Sequence, residues 1–242
     1  MPPRYVNVQQ GTPEWLQARA GYITASRIAD VTSYNQPSSE VAKSLGFKLV
    51  REAVAAGVKG DSSAARNKYL KELRAERICG RAAERFYSPA MQHGNQYENH
   101  ARTAYEVKNR VMVEQVGFAV HGMIDFAGAS PDALVGDDGM IELKAPTQEV
   151  HLEYYEAGIV PEEYVPQCYW GMEVCERKWC DFVSYHPSAI SEHGDFRLFI
   201  KRLEYDPAIA KYYCDEVIKF EGELRESIQR LAHPGKQATK ES

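Results

Sequence analysis

The stretch SPDALVGDDGMIELKAP, Ser130 to Pro146, carries two acids ten residues apart, Asp132 and Glu142, and a lysine, Lys144, two residues after the second acid. Alternate residues of a strand share a face, so in IELK the side chains of Glu142 and Lys144 project together while Ile141 and Leu143 turn the other way, into a core. If the segment holding Asp132 pairs with IELK across the DDG turn, the two carboxylates come within the ~4–6 Å at which like charges strongly disfavour each other. Such a pair wants a cation. Two carboxylates and a backbone carbonyl are hard oxygen ligands suited to Mg²⁺ or Mn²⁺. A metal there would polarise a phosphoryl oxygen, lower the pKa of a bound water and neutralise the leaving oxygen, while Lys144 orients or helps deprotonate the attacking water. The chemistry is phosphodiester hydrolysis. An E-x-K triplet by itself ordinarily reads as an exposed salt bridge; the Ser-Pro-Asp and the turn before it reverse that reading.

The elements that must position these groups are legible in outline. TPEWLQARAGYI opens a helix with Thr12 as cap and Pro13 at its first position, and TASRIADVT opens another with Thr24 or Ser26 as cap. From about Ser38 to Phe86 the pattern is helical in two segments, divided at GVKGDSS. The second segment sets Lys71, Arg74, Arg77, Arg81 and Arg85 on one face; a solvated face paired with Glu72, Glu76 and Glu84 is the favoured reading, a phosphate-contacting stripe the other. QYENHARTAYEVKN is helical, and VMVEQVGFAVHG, MIDFAGASPDALVG and GMIELKAP are β-rich segments parted by turn residues. Helix returns at about Val150–Gly158 and Glu162–Glu176; WCDFVSYHP is a strand, and a long helix starts near Asp206. The order fits an α/β (α+β) fold, a central mixed sheet flanked by helices. One domain is expected over 1–232, with helical (about 12–108), sheet (about 109–187) and C-terminal helical (about 206–232) parts, and a tail, 233–242, that frays.

Hydrophobic residues at 44% and charged residues at 26% are ordinary globular values, which argues against a disordered chain or a coiled coil. No run approaches a membrane span, and the first residues lack a signal-peptide layout, so an intracellular setting is expected. Five cysteines without CxxC spacing argue against a disulfide framework and a zinc cluster. The formal net charge of -5 excludes a uniformly basic nucleic-acid surface but not a narrow basic channel.

Pro131, Asp132, Glu142 and Lys144 resemble the PD-(D/E)xK nuclease signature of restriction-endonuclease-like cores. Together with GTPEWLQARAGYITASRIADV, HGNQYENHARTAYE and YVPQCYWGMEV, that stretch resembles the lambda-exonuclease and YqaJ-type viral recombinase (alkaline exonuclease) family. The matched blocks run from about Gly11 to Pro187, with the helical region from about Asn35 to Ala90 matching poorly. The resemblance implies a Mg²⁺-dependent 5′-to-3′ exonuclease, with two ions per site and Mn²⁺ as a substitute. It would digest the 5′-phosphorylated strand of double-stranded DNA ends to mononucleotides and leave a 3′ single-stranded tail. It implies a ring-shaped homotrimer, a single-strand annealing protein as partner, and a phage or prophage protein in a bacterial cytoplasm.

By the same resemblance Asp132, Glu142 and the Leu143 carbonyl are metal ligands, Lys144 stands at the nucleophilic water, and Glu98 is an additional acid near the metals. Gln167 and Tyr164 hold water or DNA; Arg19, Ser26 and Ser130 form a pocket for the 5′-phosphate; Met91 is a wedge between terminal base pairs. A guanidinium fork with two hydroxyls suits a terminal dianion better than an internal monoanionic diester. Asn95 stands where some relatives carry lysine, and Ala145 where a cysteine can follow the catalytic lysine. Two other functions fit part of the pattern: an endonuclease using the same triad, which would have no use for a terminal-phosphate pocket, and a DNA-binding subunit with an idle metal site.

Overall fold

The computed structural model describes residues 1–83 and 89–233, with side chains described outside 89–96. The expectations for Glu84 and Arg85 and for the tail from 234 onward lie outside the described residues, and those for Met91 and Asn95 outside the described side chains. The chain opens with strand β1 (Arg4–Val6) and helix α1 (Pro13–Arg19), whose first turn is capped as its sequence suggests: the Thr12 side chain accepts from the Trp15 N–H. Strand β2 (Ile23–Thr24) runs into a 3₁₀ turn (Ala25–Arg27) and helix α2 (Ile28–Val31), where neither Thr24 nor Ser26 caps through its side chain.

The first of the two helical segments expected after Ser38 is instead two short helices, α3 (Ser39–Ser44) and α4 (Val50–Ala55). They part at Gly46, whose φ of 87° is a left-handed conformation that ends a helix. Helices α5 (Ala64–Cys79) and α6 (Pro89–Asn109) follow. Strands β3 (Phe118–Val120), β4 (Ala127–Ala129), β5 (Ala133–Val135) and β6 (Gly139–Lys144) come next, then helices α7 (Gln148–Ala157) and α8 (Val165–Cys175). The chain continues through β7 (Trp179–Tyr185), β8 (Ile190–Ser191), β9 (Gly194–Asp195) and β10 (Leu198–Glu204), and ends in α9 (Pro207–Ala232), capped by Asp206.

In place of one central sheet there are two mixed four-stranded sheets, ordered β1-β3-β4-β2 and β10-β7-β6-β5, besides the β8-β9 hairpin. Antiparallel β5 and β6 and parallel β6 and β7 make the second sheet mixed. Helix α8 packs on β3 and β4 of the first sheet and on β7 of the second, with Trp170 fully buried and its indole N–H 3.3 Å from the Gly128 carbonyl. On the other face of the second sheet α6 lays Ala101 and Tyr105 against Ile141, Leu143 and Val183. That is the core into which IELK was expected to turn its apolar residues.

The basic stripe divides where it is described: Lys71 and Arg81 are exposed, as a solvated face requires, whereas Arg74 and Arg77 turn toward α9. Arg77 is buried against α9: its Nη1 and Nη2 donate to the two oxygens of Glu221 at 2.8 and 2.6 Å, and its Nε to the Gly21 carbonyl. Arg74 donates to Ser227 Oγ. The expected partners are engaged elsewhere, Glu72 with Arg27 and Glu76 with the backbone N–H groups of Gly21 and Ala83. Spacing put these cations on one face, but the long helix that engages Arg74 and Arg77 is some 140 residues away in sequence.

Candidate active site

Antiparallel pairing of β5 with β6 runs Ala133 against Ile141, which continues to Asp132 opposite Glu142. The turn that reverses the chain starts at Gly136, in the left-handed region at φ 54°, and Arg177 Nη1 donates to its carbonyl at 3.0 Å. Asp132 Oδ2 accepts the Leu143 backbone N–H, which ties the link between β4 and β5 to the strand carrying Glu142. Glu142 is 3% exposed, and its Oε1 accepts from both Lys144 Nζ and Gln167 Nε2. Gln167 comes from the first turns of α8, so that helix reaches the sheet at the acid. Lys144 Nζ also lies 5.0 Å from the centroid of the Tyr164 ring, which stacks on Phe182 at 5.2 Å.

The electrostatics are those of crowded acids. Burial pushes the Asp132 carboxyl well above the ordinary carboxylate range, and the charges of Glu142 and Glu98 push the same way, against Lys144 and the Leu143 N–H. Burial alone would lower the Lys144 ammonium, but Glu142 and Asp132 outweigh it and hold Lys144 above its usual value. Glu98, from α6, is thus close enough for its charge to act on Asp132; its Oε1 accepts from Arg102 Nη2 at 2.6 Å. The charges of Glu142 and Glu98 both act on Asp132, which resists ionisation, and carboxylate oxygens are the donors an oxygen-seeking divalent cation takes.

A second group lies one residue away along the chain. Ser130, separated from Asp132 only by Pro131, accepts from the Trp15 indole N–H at 3.0 Å. The Arg19 guanidinium stacks 4.0 Å above the same indole and donates to Ser26 Oγ at 3.4 Å. Arg19 also lines a shallow recess with Leu16, Tyr22, Thr24 and Glu76. Arg19, Ser26 and Ser130 are therefore brought together, and the link from β4 to β5 joins this group to the acids.

The model of the YqaJ-like viral recombinase domain matches residues 14–178. The chain belongs to this family. Its structure is similar to that of an alkaline exonuclease (LHK-Exo) from Laribacter hongkongensis, with TM-score 0.75 and 34% identity over 92% of this chain and 97% of that one. LHK-Exo in complex with dAMP gives TM-score 0.76 at the same identity and coverage. A phage related exonuclease from Haemophilus somnus 129PT, 15% identical, covers 87% of this chain and 96% of its own at TM-score 0.56, a likeness of fold alone. None of the curated proteins matches. Family and neighbours together support a nuclease role, and the mixed α/β architecture is of the PD-(D/E)xK kind. Among the described residues no helix is long and apolar enough to cross a membrane.

Three residues of this viral recombinase domain escaped the sequence reading. Trp15 carries both Arg19 and Ser130, and its four-residue spacing from Arg19 on a helix was the available signal. His151, fully buried, lies 2.7 Å from both Ser184 Oγ and the Phe196 carbonyl. Since a carbonyl only accepts, Nε2–H donates to Phe196 and Nδ1 accepts from Ser184, the register partner of Lys144. The third is Arg102, buried beside Glu98. A separate trio, His121, Glu173 and Cys214, has its donor atoms within 4.8 Å of one another. His121 Nδ1 accepts the N–H groups of Met123 and Ile124, so its proton sits on Nε2 and faces Glu173.

Proposed function

We propose that the chain is a Mg²⁺-dependent exonuclease that digests the 5′-phosphorylated strand of duplex DNA from its 5′ end to mononucleotides, leaving a 3′ single-stranded overhang for recombination by strand annealing. The observation that carries the reading is the single link from Ser130 to Asp132, which joins an Arg-Ser-Ser group suited to a terminal phosphate to the crowded acids. An internal cutter has no need of the first group. That LHK-Exo is described with dAMP, a deoxynucleoside monophosphate of the kind an exonuclease releases, supports the same reading.

In this proposal Asp132, Glu142, the Leu143 carbonyl and Glu98 hold Mg²⁺, or Mn²⁺ in its place, as two ions. When bound, the metal polarises the scissile phosphoryl group and lowers the pKa of a water. Lys144, held at the Glu142 carboxylate, orients or helps deprotonate the attacking water. Gln167 fixes Glu142 through the bond to its Oε1, and the Tyr164 ring limits where Lys144 can swing. Arg19 and the two serines hold the terminal dianion, whose extra charge separates an end from an internal diester. The family resemblance extends the proposal to a homotrimeric ring around the duplex, which would keep a chain of net charge -5 on DNA, and to an annealing protein as partner.

The test is a linear duplex with a 5′-phosphate on one labelled strand, incubated with Mg²⁺ beside a covalently closed circle. Loss of the phosphorylated strand from its 5′ end with the circle intact is expected. Cutting of the circle would replace the exonuclease with an endonuclease, and no nucleotide release at all would leave only a DNA-binding role.

A further inference from the structure

Arg102 is a cation at the boundary of the core. It is 7% exposed, whereas Arg225 and Arg230, which stand four residues after Glu221 and Glu226 in the same way, are more than half exposed at their side chains. Its fork is filled on one side by three neighbours. Nη2 donates to Glu98 Oε1 at 2.6 Å and Nη1 to Asn99 Oδ1 at 2.8 Å. With its amide oxygen turned toward the guanidinium, Gln115 accepts from Nη1 and Nη2 at 2.7 and 2.9 Å. Burying a guanidinium costs desolvation that an ion pair seldom repays, so the placement is weak evidence of a stabilising role.

What the placement does achieve is control of one carboxylate. Glu98 has three side-chain torsions and is a third exposed at its side chain, so nothing but a bond would fix it. Among the described residues that bond is to Oε1, and no hydrogen bond reaches Oε2. The helix beneath is itself pinned one turn on. The Tyr105 hydroxyl donates at 2.7 Å to Asp181, a carboxylate 2% exposed that Arg202 also holds, and Asp181 is the register partner of Ile141, next to Glu142.

We infer that Arg102 is a positioning residue for Glu98: it holds one oxygen of the carboxylate and leaves the other for the cation shared with Asp132 and Glu142. The inference rests on the metal-site reading above and adds to it a residue with no ligand role of its own. Groups behind metal-binding side chains typically shift metal affinity by about 10–100-fold when replaced. Position and charge predict opposite results. If only charge mattered, removing a cation beside a cation site would tighten metal binding, and a lysine would serve as well as an arginine. If the fork positions Glu98, a lysine fails, because a point charge on a flexible stem does not reproduce planar donors.

The experiment is Mn²⁺ titration by calorimetry on the full chain, free and with Arg102→Lys, Arg102→Gln, Glu98→Gln and the Glu98→Gln/Arg102→Lys pair. Half-saturating Mg²⁺ in duplex digestion is measured beside it. Both Arg102 variants should weaken Mn²⁺ binding by about 10–100-fold and raise the half-saturating Mg²⁺ by a similar factor, with kcat at saturating Mg²⁺ near the parent's. In the Glu98→Gln background Arg102→Lys should change nothing further, since the residue acts through Glu98. Tyr105→Phe loosens the same helix without touching Glu98. If it and Arg102→Lys lower Tm alike and both leave Mn²⁺ affinity at the parent's value, Arg102 is a strut and the inference fails. Tighter binding by Arg102→Gln overturns it too. A parent chain that binds no Mn²⁺ and releases no nucleotide would sink the nuclease reading itself, a result distinct from unchanged Arg102 variants of an active parent.

Discussion

Lys144 holds the Oε1 of Glu142 and lies over the face of Tyr164, so its ammonium is fixed on two sides before any substrate arrives. Removing it deletes a charge from the reacting region and leaves the Asp132 and Glu142 carboxylates in place. Lys144→Ala should therefore lower kcat by at least about 100-fold while DNA binding in a gel shift stays near the parent's; turnover within a few-fold of the parent would remove Lys144 from the chemistry. Arg19 carries a different consequence. Charge-assisted hydrogen bonds are worth about 1.5–3 kcal/mol, so Arg19→Ala should cut the rate ratio between 5′-phosphate and 5′-hydroxyl ends by about 10–100-fold. An unchanged ratio would show that the phosphate is held elsewhere. At this scale the sequence was informative: an acid at 132, an acid and a lysine two apart at 142 and 144, and a Ser-Pro before them define alternation and a turn, and both are local. Trp15, Arg102 and His151 were not legible as parts of the site, because their meaning lies in partners at Ser130, Gln115 and Phe196 that no spacing reveals.

Elements follow the same division. The cap at Thr12, the long C-terminal helix after Asp206 and the turn before Gly139 were local signals and stand in the structure. Strands β1 and β10 were missed: β1 is three residues long, and β10, LFIKRLE, alternates poorly because Arg202 lies across Trp179 at 3.6 Å and binds Asp181. On the basic stripe, Arg74 and Arg77 departed from the solvated reading for lack of a partner in view. Arg77 and Glu221 now form a buried, two-pronged pair, with the guanidinium 4.2 Å from the Phe126 ring. Removing one member leaves the other buried and short of partners, so Arg77→Met should cost about 3 kcal/mol in urea unfolding. Arg77→Met/Glu221→Met should cost clearly less than the two single changes added together, because no charge remains to be solvated. Additive losses would mean that the two residues act separately, and that α5 and α9 are joined by apolar packing alone.

Across the whole molecule, buried polar struts tie distant elements together, and two of them set how stability responds to acid. Glu173 on α8 accepts from the Tyr205 hydroxyl, just before α9, at 2.6 Å, and lies 3.5 Å from His121 Nε2 of the β3–β4 link. His121 beside it leads in holding its carboxyl down, to about 2 from the ordinary 4.5. A carboxyl depressed in the folded state contributes stability that is complete above its unfolded pKa and is lost as pH falls through the folded one. The window is therefore from about 4.5 down to about 2, and the loss approaches ~3 kcal/mol, at 1.36 kcal/mol per unit. His151 acts higher up: burial lowers its pKa from 6.5, so the native state resists a proton that the unfolded chain accepts, and stability starts to fall once pH drops below 6.5. The two residues join different parts, His151 holding α7 to the second sheet and Glu173 holding α8 to the first sheet and the start of α9. Urea unfolding of the parent across pH 7.5 to 3 should show both declines. Glu173→Gln cannot titrate, so it should start less stable at pH 7 and then flatten below pH 4.5, the gap to the parent narrowing as acid removes the contribution it has already lost. Curves that stay parallel down to pH 3 would show that Glu173 is no more strongly held than a surface carboxylate, and the link from α8 to the first sheet and the start of α9 would have to rest on packing around Trp170.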